Sequence, residues 1–168
     1  MVEHVQFVAL FRAEYAKLCR IAARLVHDRT LAEEIVSESM LTVWRRRDHV
    51  DWDRPFPYLY RVVINECKDT LEIAGKQRAL QSKVATLDVV PHQRTAAAAV
   101  EPRVAGDALV LEMLQDLPLQ QRSVVVLRVF EDMAEVDVAE VLGISVGSVK
   151  SHYSRGLAAL RTAMAGSL

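Results

Sequence analysis

The sequence has few of the residues that mark a metal site, a disulfide framework or a membrane span. Among its 168 residues there are two cysteines, Cys19 and Cys67, which are far apart and lack the C-x-x-C spacing of a zinc or redox site. No apolar run approaches the roughly 20 residues that cross a bilayer. We therefore expect two reduced thiols in a core, with no metal, no cofactor and no membrane insertion.

The chain also lacks the overall excess of cations that is typical of a nucleic-acid-binding domain, since its net charge is −1. The charges are unevenly distributed, however. Residues 107–140 contain eight carboxylates and two arginines, whereas residues 145–168 contain three cations and no carboxylate. This asymmetry predicts one basic face suited to phosphates and one acidic face suited to a protein partner. The N-terminus lacks the features of a secretory signal, so we expect a cytoplasmic protein.

Nearly every segment has the 3.6-residue hydrophobic period of an amphipathic helix. We predict helices over residues 4–26, 31–47, 57 to at least 75, 108–114, 118–130, 134–142 and 146–164. A capping box of Thr30 and Glu33 is expected to begin the second helix. Residues 86–106 contain two prolines and little amphipathic pattern, which is typical of a linker. The sequence therefore predicts an all-α protein of two small helical domains, residues 1–85 and 107–168, joined by a flexible linker.

Residues 138–150 have the pattern of a helix-turn-helix. Gly143 permits the left-handed conformation that ends the first helix, and Ser145 is a good N-cap for the second. Ala139 is small enough for close helix packing, and Ile144 and Val149 are apolar plugs between the helices. The second helix of such a pair enters the major groove of DNA. We predict DNA contacts from its polar side, namely Ser145, Ser148, Lys150, Ser151, His152 and Arg155.

Motifs in both halves resemble the bacterial sigma-70 family of RNA polymerase sigma factors, of the extracytoplasmic-function (ECF) type. Those in the C-terminal half are Leu117-Pro118-x-x-x-Arg122, Glu131-Asp132-Met133, Glu140-Val141-Leu142-Gly143 and Ser154-Arg155-Gly156-Leu157. They resemble sigma region 4, which reads the minus-35 promoter element in that family. Residues 32–45 resemble region 2.2, which docks on core RNA polymerase, and residues 57–69 resemble regions 2.3 and 2.4, which open the minus-10 element. The resemblance covers nearly the whole chain.

The resemblance implies a factor that directs core RNA polymerase to promoters and is not an enzyme. Its implied partners are core RNA polymerase, promoter DNA and an anti-sigma factor. Its implied polymerase-binding residues are Glu33, Glu34, Glu38, Leu41 and Trp44. Rings that stack on extruded bases and cations that hold phosphates are expected around the start of the third helix. These minus-10 residues are Trp52, Arg54, Tyr58, Arg61, Asn65 and Lys68. For Phe56 and Tyr60, base stacking and core packing are equally compatible with the sequence.

Three positions differ from the family pattern. Asp69 is followed by Thr-Leu-Glu-Ile-Ala instead of an arginine cluster, which predicts a weaker or shifted grip on duplex DNA. Tyr58 stands where tryptophan is common, and Ser148 stands where threonine is common. Two other interpretations stay open at this point. One is a dimeric helix-turn-helix repressor with an N-terminal ligand or dimer domain, and the other is an adaptor that holds an anti-sigma protein without contacting DNA.

Overall fold

The computed structural model of the chain describes residues 2–84 and 105–166, and every regular element in those ranges is a helix. The α-helices of the described residues are α1 (Val2–Val26), α2 (Arg29–Arg45), α3 (Phe56–Val84), α4 (Ala105–Gln115), α5 (Leu119–Val125), α6 (Glu135–Leu142) and α7 (Val146–Gly166). A turn of 3₁₀-helix, Arg47–His49, follows α2, and a π-turn, Val126–Phe130, follows α5. The predicted all-α fold is confirmed for these ranges. Residues 86–104 of the predicted linker lie outside them.

Helices α1, α2 and α3 form the first bundle because each has an apolar stripe at helical spacing. Its largest fully buried side chains are Leu18, Ile21, Leu25, Val36, Met40, Val43, Leu59 and Val63. Cys67 is buried in the same core, Cys19 is half-buried, and both are free thiols, as the spacing predicts. Burial raises the pKa of the Cys67 thiol to about 12. Cys67 therefore stays protonated at neutral pH and packs as a small apolar group.

The turn between α1 and α2 differs from the sequence-based prediction. His27 ends α1 in the left-handed conformation, with a φ of 57°. Asp28 is the N-cap of α2, since its carboxylate accepts a hydrogen bond from the N–H of Leu31 at 2.9 Å. The predicted capping box of Thr30 and Glu33 is therefore wrong. The helix begins two residues earlier than expected, and the Asp28 carboxylate already satisfies an N–H of the first turn.

Helix α3 extends beyond residue 75, which was the minimum that the sequence predicts. It runs for 29 residues and ends at Val84. Pro55 immediately precedes it, and the Pro55 carbonyl accepts the N–H of Leu59 at 3.1 Å. Pro57 lies in the first turn of α3, where a backbone N–H would have no acceptor within the helix, so the missing donor costs nothing. None of the described helices combines the length and the apolar character needed to cross a membrane.

Helices α4 to α7 form the second bundle around a core of Leu114, Val124, Val125, Leu127, Val138 and Val149. Helix α5 and the π-turn form one continuous rod, which confirms the helix predicted over residues 118–130. Helix α7 crosses α5 at Gly156, which is buried. A Cβ atom on Gly156 would lie 2.7 Å from Cγ2 of Val125. Only glycine lets the two helices approach this closely without a displacement.

The two bundles contact each other, with α1 against α4 and the π-turn, and with α3 against α6. The buried side chain of Arg122 lies at this boundary. Its guanidinium donates hydrogen bonds to the carbonyl of Leu25 near the end of α1 and to Gln115 and Leu117 at the end of α4. Burial lowers the pKa of the Arg122 guanidinium. The carbonyls carry the partial negative charge of two helix C-termini, and this compensates the buried cation.

Candidate nucleic-acid interface

Helices α6 and α7 form the helix-turn-helix that the sequence predicts. Gly143 ends α6 with a φ of 66°, and the carbonyl of Ala139 accepts the N–H of Ile144 at 3.1 Å. The Ser145 hydroxyl then accepts the N–H of Ser148 at 3.0 Å and caps α7. The glycine turn and the serine cap are therefore both confirmed.

The first three turns of α7 contain the residues predicted to contact the minus-35 element. Four of the six predicted residues are exposed: the N-cap residue Ser145, and Lys150, Ser151 and Arg155 on the helix itself. Ser148 and His152 are half-buried. The hydroxyls of Ser145 and Ser148 lie 2.9 Å apart, so both already take part in the cap. The groups best placed for a ligand are therefore the two cations and the Ser151 hydroxyl.

The cations on α7 are held only loosely by the protein. The Lys150 ammonium lies 3.8 Å from the carboxylate of Glu135, in a pair whose lysine is exposed and whose glutamate is half-buried. Exposed pairs of this kind contribute little, so Lys150 can turn to a phosphate at small cost. Arg155 makes no ion pair within the described part of the chain. The start of α7 therefore presents cations that are available to an anion.

Four of the predicted minus-10 residues share one side of α3. Tyr58, Arg61, Asn65 and Lys68 are spaced three or four residues apart, which places them in one row along the helix. Tyr58 is half-buried, and the other three are exposed. Lys68 lies 3.9 Å from the carboxylate of Glu72, in a pair that is open to solvent. We call these four residues the α3 row.

The aromatic residues around the start of α3 divide between core and surface. Tyr60 is buried, its hydroxyl donates to the carboxylate of Glu14 at 2.8 Å, and burial raises its pKa. Phe56 is 48% exposed. Trp52 is half-buried, and its indole N–H donates to the carbonyl of Arg47 at 3.1 Å. Tyr60 is therefore a core residue, whereas Trp52 fixes the loop before α3 and presents only part of its ring.

Both arginines that were predicted to contact the minus-10 element contact the second bundle. The Arg54 guanidinium lies 2.8 Å from the carboxylate of Glu140 and 3.5 Å from that of Asp137. Arg61 donates to the backbone carbonyls of Glu140 and Val141 at the end of α6. The sequence analysis assigned both arginines to DNA and did not find these contacts. The acidic excess of the second half was the signal that pointed toward them.

The predicted polymerase-binding residues lie along α2. Glu33, Glu34, Glu38 and Leu41 are exposed, and Trp44 is half-buried. An apolar groove of about 520 Å³ runs beside them between α1 and α2. Its lining includes Phe7, whose ring centroid lies 5.1 Å from that of Trp44, and Phe11, which is 38% exposed. The sequence analysis did not assign the aromatic residues of α1 to a site, although their spacing of four residues gives them a common face.

The loop before α3 has no arrangement suited to a metal ion, and the described residues contain no cluster of three or more histidine, cysteine or acidic side chains that could hold one. Within this loop the carboxylate of Asp51 accepts the N–H of Asp53 at 3.1 Å. This contact is typical of a turn stabilised by an aspartate side chain. The acidic residues of the loop therefore shape the backbone in front of α3.

Comparison with known proteins places both halves in one family. The family profile described as Sigma-70 region 2 matches residues 10–77, and the profile described as Sigma-70, region 4 matches residues 107–160. The RNA polymerase sigma-E factor of Streptomyces avermitilis is 33% identical over 163 residues, which cover 95% of this chain and 85% of that protein. The ECF RNA polymerase sigma factor SigM of Mycobacterium tuberculosis is 30% identical over 155 residues, which cover 92% and 74% of the two chains.

A solved structure agrees with the fold. The sigma factor RpoE from Bartonella quintana, crystallised in complex with the anti-sigma factor NepR, matches with a TM-score of 0.73 at 19% sequence identity. The match covers 94% of this chain and 96% of that one. At this level of identity the match is evidence for the fold alone, and it extends over both bundles.

Proposed function

Because this chain belongs to the sigma-70 family of RNA polymerase sigma factors, as a member of its ECF group, we propose residue assignments for the three surfaces that such a factor uses. The chain is a promoter-specific transcription initiation factor and not an enzyme. We assign minus-35 recognition to the start of α7, minus-10 recognition to the α3 row with the preceding loop, and polymerase binding to the exposed face of α2. The single observation that carries the assignment is a capped helix-turn-helix with open cations on its second helix.

Minus-35 recognition rests on Lys150, Ser151 and Arg155. A guanidinium or ammonium group can donate to the O6 and N7 acceptors of guanine in the major groove, and a hydroxyl can contact a phosphate or a base edge. Ser145, Ser148 and His152 complete the surface at its margin. Their half-buried or capped side chains support a role in setting the angle of α7 and contacting the backbone.

Minus-10 recognition rests on the α3 row together with Trp52 and Arg54. Extruding a base costs a few kcal/mol, which stacking and hydrogen bonds must offset. Tyr58 and the exposed part of Trp52 supply rings, and Asn65 supplies an amide that can donate to and accept from a base edge. Arg54, Arg61 and Lys68 supply cations for the phosphates. Because α3 continues past Asp69 without an arginine cluster, its grip on the duplex is expected to depend on these three cations.

Polymerase binding rests on α2, where Glu33, Glu34 and Glu38 precede Leu41 and Trp44. The acidic start of this face suits basic groups, and the apolar groove at its end suits an apolar side chain of the partner. The factor is expected to act in the cytoplasm, because core RNA polymerase is located there. An anti-sigma factor is a further expected partner, since the sigma factor RpoE from Bartonella quintana was crystallised in complex with one.

We propose that these functions are divided between two domains. Residues 1–85 form the polymerase and minus-10 domain, residues 86–106 form a linker, and residues 107–168 form the minus-35 domain. The family profiles support this division, because they match residues 10–77 and 107–160 separately.

Transcription in vitro tests the assignment of α7. The protein is mixed with core RNA polymerase and genomic DNA, start sites are mapped, and one strong promoter is taken forward. Lys150→Ala and Arg155→Ala are each expected to weaken promoter recognition by about 1–3 kcal/mol where a base contact is lost, or roughly 5- to 150-fold. The effect is expected to vanish on a template whose minus-35 element is scrambled.

Arg161→Ala is the matched control, because Arg161 is an exposed cation further along α7. It is expected to transcribe like the wild type. Normal promoter recognition by both Lys150→Ala and Arg155→Ala would overturn the assignment of α7. Failure of the wild-type protein to bind core polymerase would favour an adaptor that only holds an anti-sigma protein.

A further inference from the structure

Gly147 lies in the first turn of α7, where the fold itself does not require a glycine. Its backbone is helical, and among the described glycines the positive φ belongs to Gly143. A Cβ atom on Gly147 would meet the Ser145 hydroxyl at 3.8 Å, which is an ordinary van der Waals contact. Alanine is favoured over glycine in a helix. The folded protein would therefore accept a side chain at this position.

The other described glycines differ from Gly147 in their packing or in their location. Gly143 needs its left-handed φ, and Gly156 needs the close crossing of α7 with α5. Gly75 and Gly166 have no atom within 4 Å of an added Cβ, but they lie in α3 and at the far end of α7. Of the described glycines that neither φ nor packing explains, Gly147 is the one within the proposed minus-35 surface.

The residues that share a face with Gly147 act at short range. Lys150, Ser151 and Ser154 follow it by three, four and seven residues, which places them on one side of the helix, and all four residues are exposed. A serine hydroxyl is attached directly to Cβ, so it reaches a ligand only when the helix backbone is close to that ligand. This face is therefore suited to a close approach of the helix to its partner.

The dimensions of the major groove leave little room around an α-helix. The groove is about 12 Å wide, and a helix with its side chains is about 10–12 Å in diameter. In a helix-turn-helix the second helix enters the groove with its N-terminal residues toward the base edges. A side chain on the leading turn of α7 would therefore hold the helix away from the bases.

We propose that Gly147 sets the depth at which α7 enters the major groove of the minus-35 element. Its missing side chain lets the first turn approach the duplex closely enough for the Ser151 hydroxyl to reach it. Gly147 is thus a positioning residue that acts through its neighbour on the same face. The proposal rests on the proposed function, because it takes the start of α7 as the helix that contacts the minus-35 element.

Gly147→Ala tests the proposal in the full chain bound to core RNA polymerase. The measurement is the affinity of this assembly for the promoter mapped by the transcription experiment. The variant is expected to bind roughly 5- to 150-fold more weakly, the usual effect of forcing a methyl group into a close-packed contact. On a template with a scrambled minus-35 element it is expected to match the wild type. Wild-type affinity for the intact promoter would overturn the proposal.

Urea unfolding separates this role from a structural one. Because alanine is the better helix former, the unfolding midpoint of Gly147→Ala is expected to equal or exceed that of the wild type. A lower midpoint would show that the fold needs this glycine and would overturn the proposal. Promoter affinity and stability are therefore expected to change in different directions.

Gly166→Ala is the matched control on the same helix. Gly166 is exposed, has open space around an added Cβ, and lies 19 residues after Gly147, or about 28 Å along the axis. Its promoter affinity is expected to stay within about twofold of the wild type. An equal loss in both variants would overturn the assignment of docking depth to Gly147.

A double-mutant cycle with Ser151→Ala tests the depth mechanism. Alone, Ser151→Ala is expected to weaken promoter binding roughly 2- to 12-fold, the range for one hydrogen bond. In the Gly147→Ala background it is expected to add little, because a displaced helix no longer brings the hydroxyl to the duplex. The same fold-loss in both backgrounds would overturn the mechanism.

The variants Lys150→Ala and Arg155→Ala distinguish failure of this inference from failure of the proposed function. If both are impaired while Gly147→Ala binds normally, the proposed function stands and docking depth does not depend on Gly147. If all three bind like the wild type, α7 is not the minus-35 helix and both proposals are wrong.

Discussion

Gly156 is the residue at which the packing of the second bundle depends on the absence of a side chain. Its neighbour across the helix crossing is Val125, whose branched side chain is itself fully buried and has little room to move. Gly156→Ala is therefore expected to lower the free energy of unfolding by about 1–3 kcal/mol, the usual cost of overpacking a core. Urea denaturation followed by circular dichroism measures this change.

Gly75→Ala is the matched control for that substitution. Gly75 lies inside α3, is exposed, and has no atom within 4 Å of the position of an added Cβ. In a helix interior alanine is favoured over glycine, so this variant is expected to gain about 0.5–1 kcal/mol. The changes in the free energy of unfolding of the two variants are therefore expected to have opposite signs. A Gly156→Ala protein as stable as the wild type would contradict the observed crossing of α5 and α7.

The start of α2 provides the prediction for a whole helix. Asp28 caps the helix and Thr30 does not, so Asp28→Ala is expected to destabilise the protein by about 1 kcal/mol. Thr30→Ala is expected to change stability by much less, because Thr30 is exposed and the cap does not use it. Thermal or urea unfolding of the two variants gives the comparison. A larger loss for Thr30→Ala would restore the capping box that the sequence suggested.

The start of α2 also illustrates which structural features can be predicted from the sequence and which cannot. The hydrophobic period predicted where the helices lie, and the pattern at Gly143 and Ser145 predicted the turn of the helix-turn-helix. Both predictions succeeded because each depends on residues that are close together in the sequence. The same reasoning placed the cap at Thr30, because Thr30 and Glu33 have capping-box spacing, whereas the cap in the structure is Asp28, two residues earlier. The change from α-helix to π-helix after Val125 was not predicted either, because a single π-turn leaves the apolar pattern almost unaltered.

The alkaline stability of the whole molecule should reflect its buried acids. The pKa of Cys67 rises from 9.0 to about 12 in the fold, and burial raises that of Tyr60 above 10.0 as well. The stabilisation is complete below about pH 9 and is lost as pH rises toward 12, because only the unfolded chain releases these protons there. The free energy of unfolding is expected to fall by up to about 1.4 kcal/mol per pH unit for each group.

Urea titrations at several pH values check this slope. Cys67→Ala is expected to be less stable near neutral pH, because it leaves a small cavity, yet to lose stability less steeply above pH 9. Parallel slopes for the two proteins would mean that the Cys67 thiol ionises without unfolding.

The contacts between the bundles could not be predicted from the sequence. Charge distribution indicated that residues 107–140 would face a protein, yet nothing in the sequence identified the first bundle as that protein. Ion pairs such as Arg54 with Glu140 have no period and join residues that are far apart along the chain. The exposed face of α7 was predictable because it depends on one helix, whereas the availability of Arg54 and Arg61 depends on how the two halves meet.

The hydrogen bonds at the end of α1 use side chains of the second bundle but only backbone atoms of the first. Gln115 and Arg122 reach the backbone carbonyls of Arg24 and Leu25, and every amino acid supplies such an oxygen. The bonds themselves therefore place no requirement on the side chains at the acceptor positions, although Leu25 is constrained separately because it is fully buried in the core. The donor side has no such freedom, because only a forked guanidinium serves the ends of α1 and α4 together. These hydrogen bonds thus depend on particular side chains in the second bundle and on backbone atoms alone in the first.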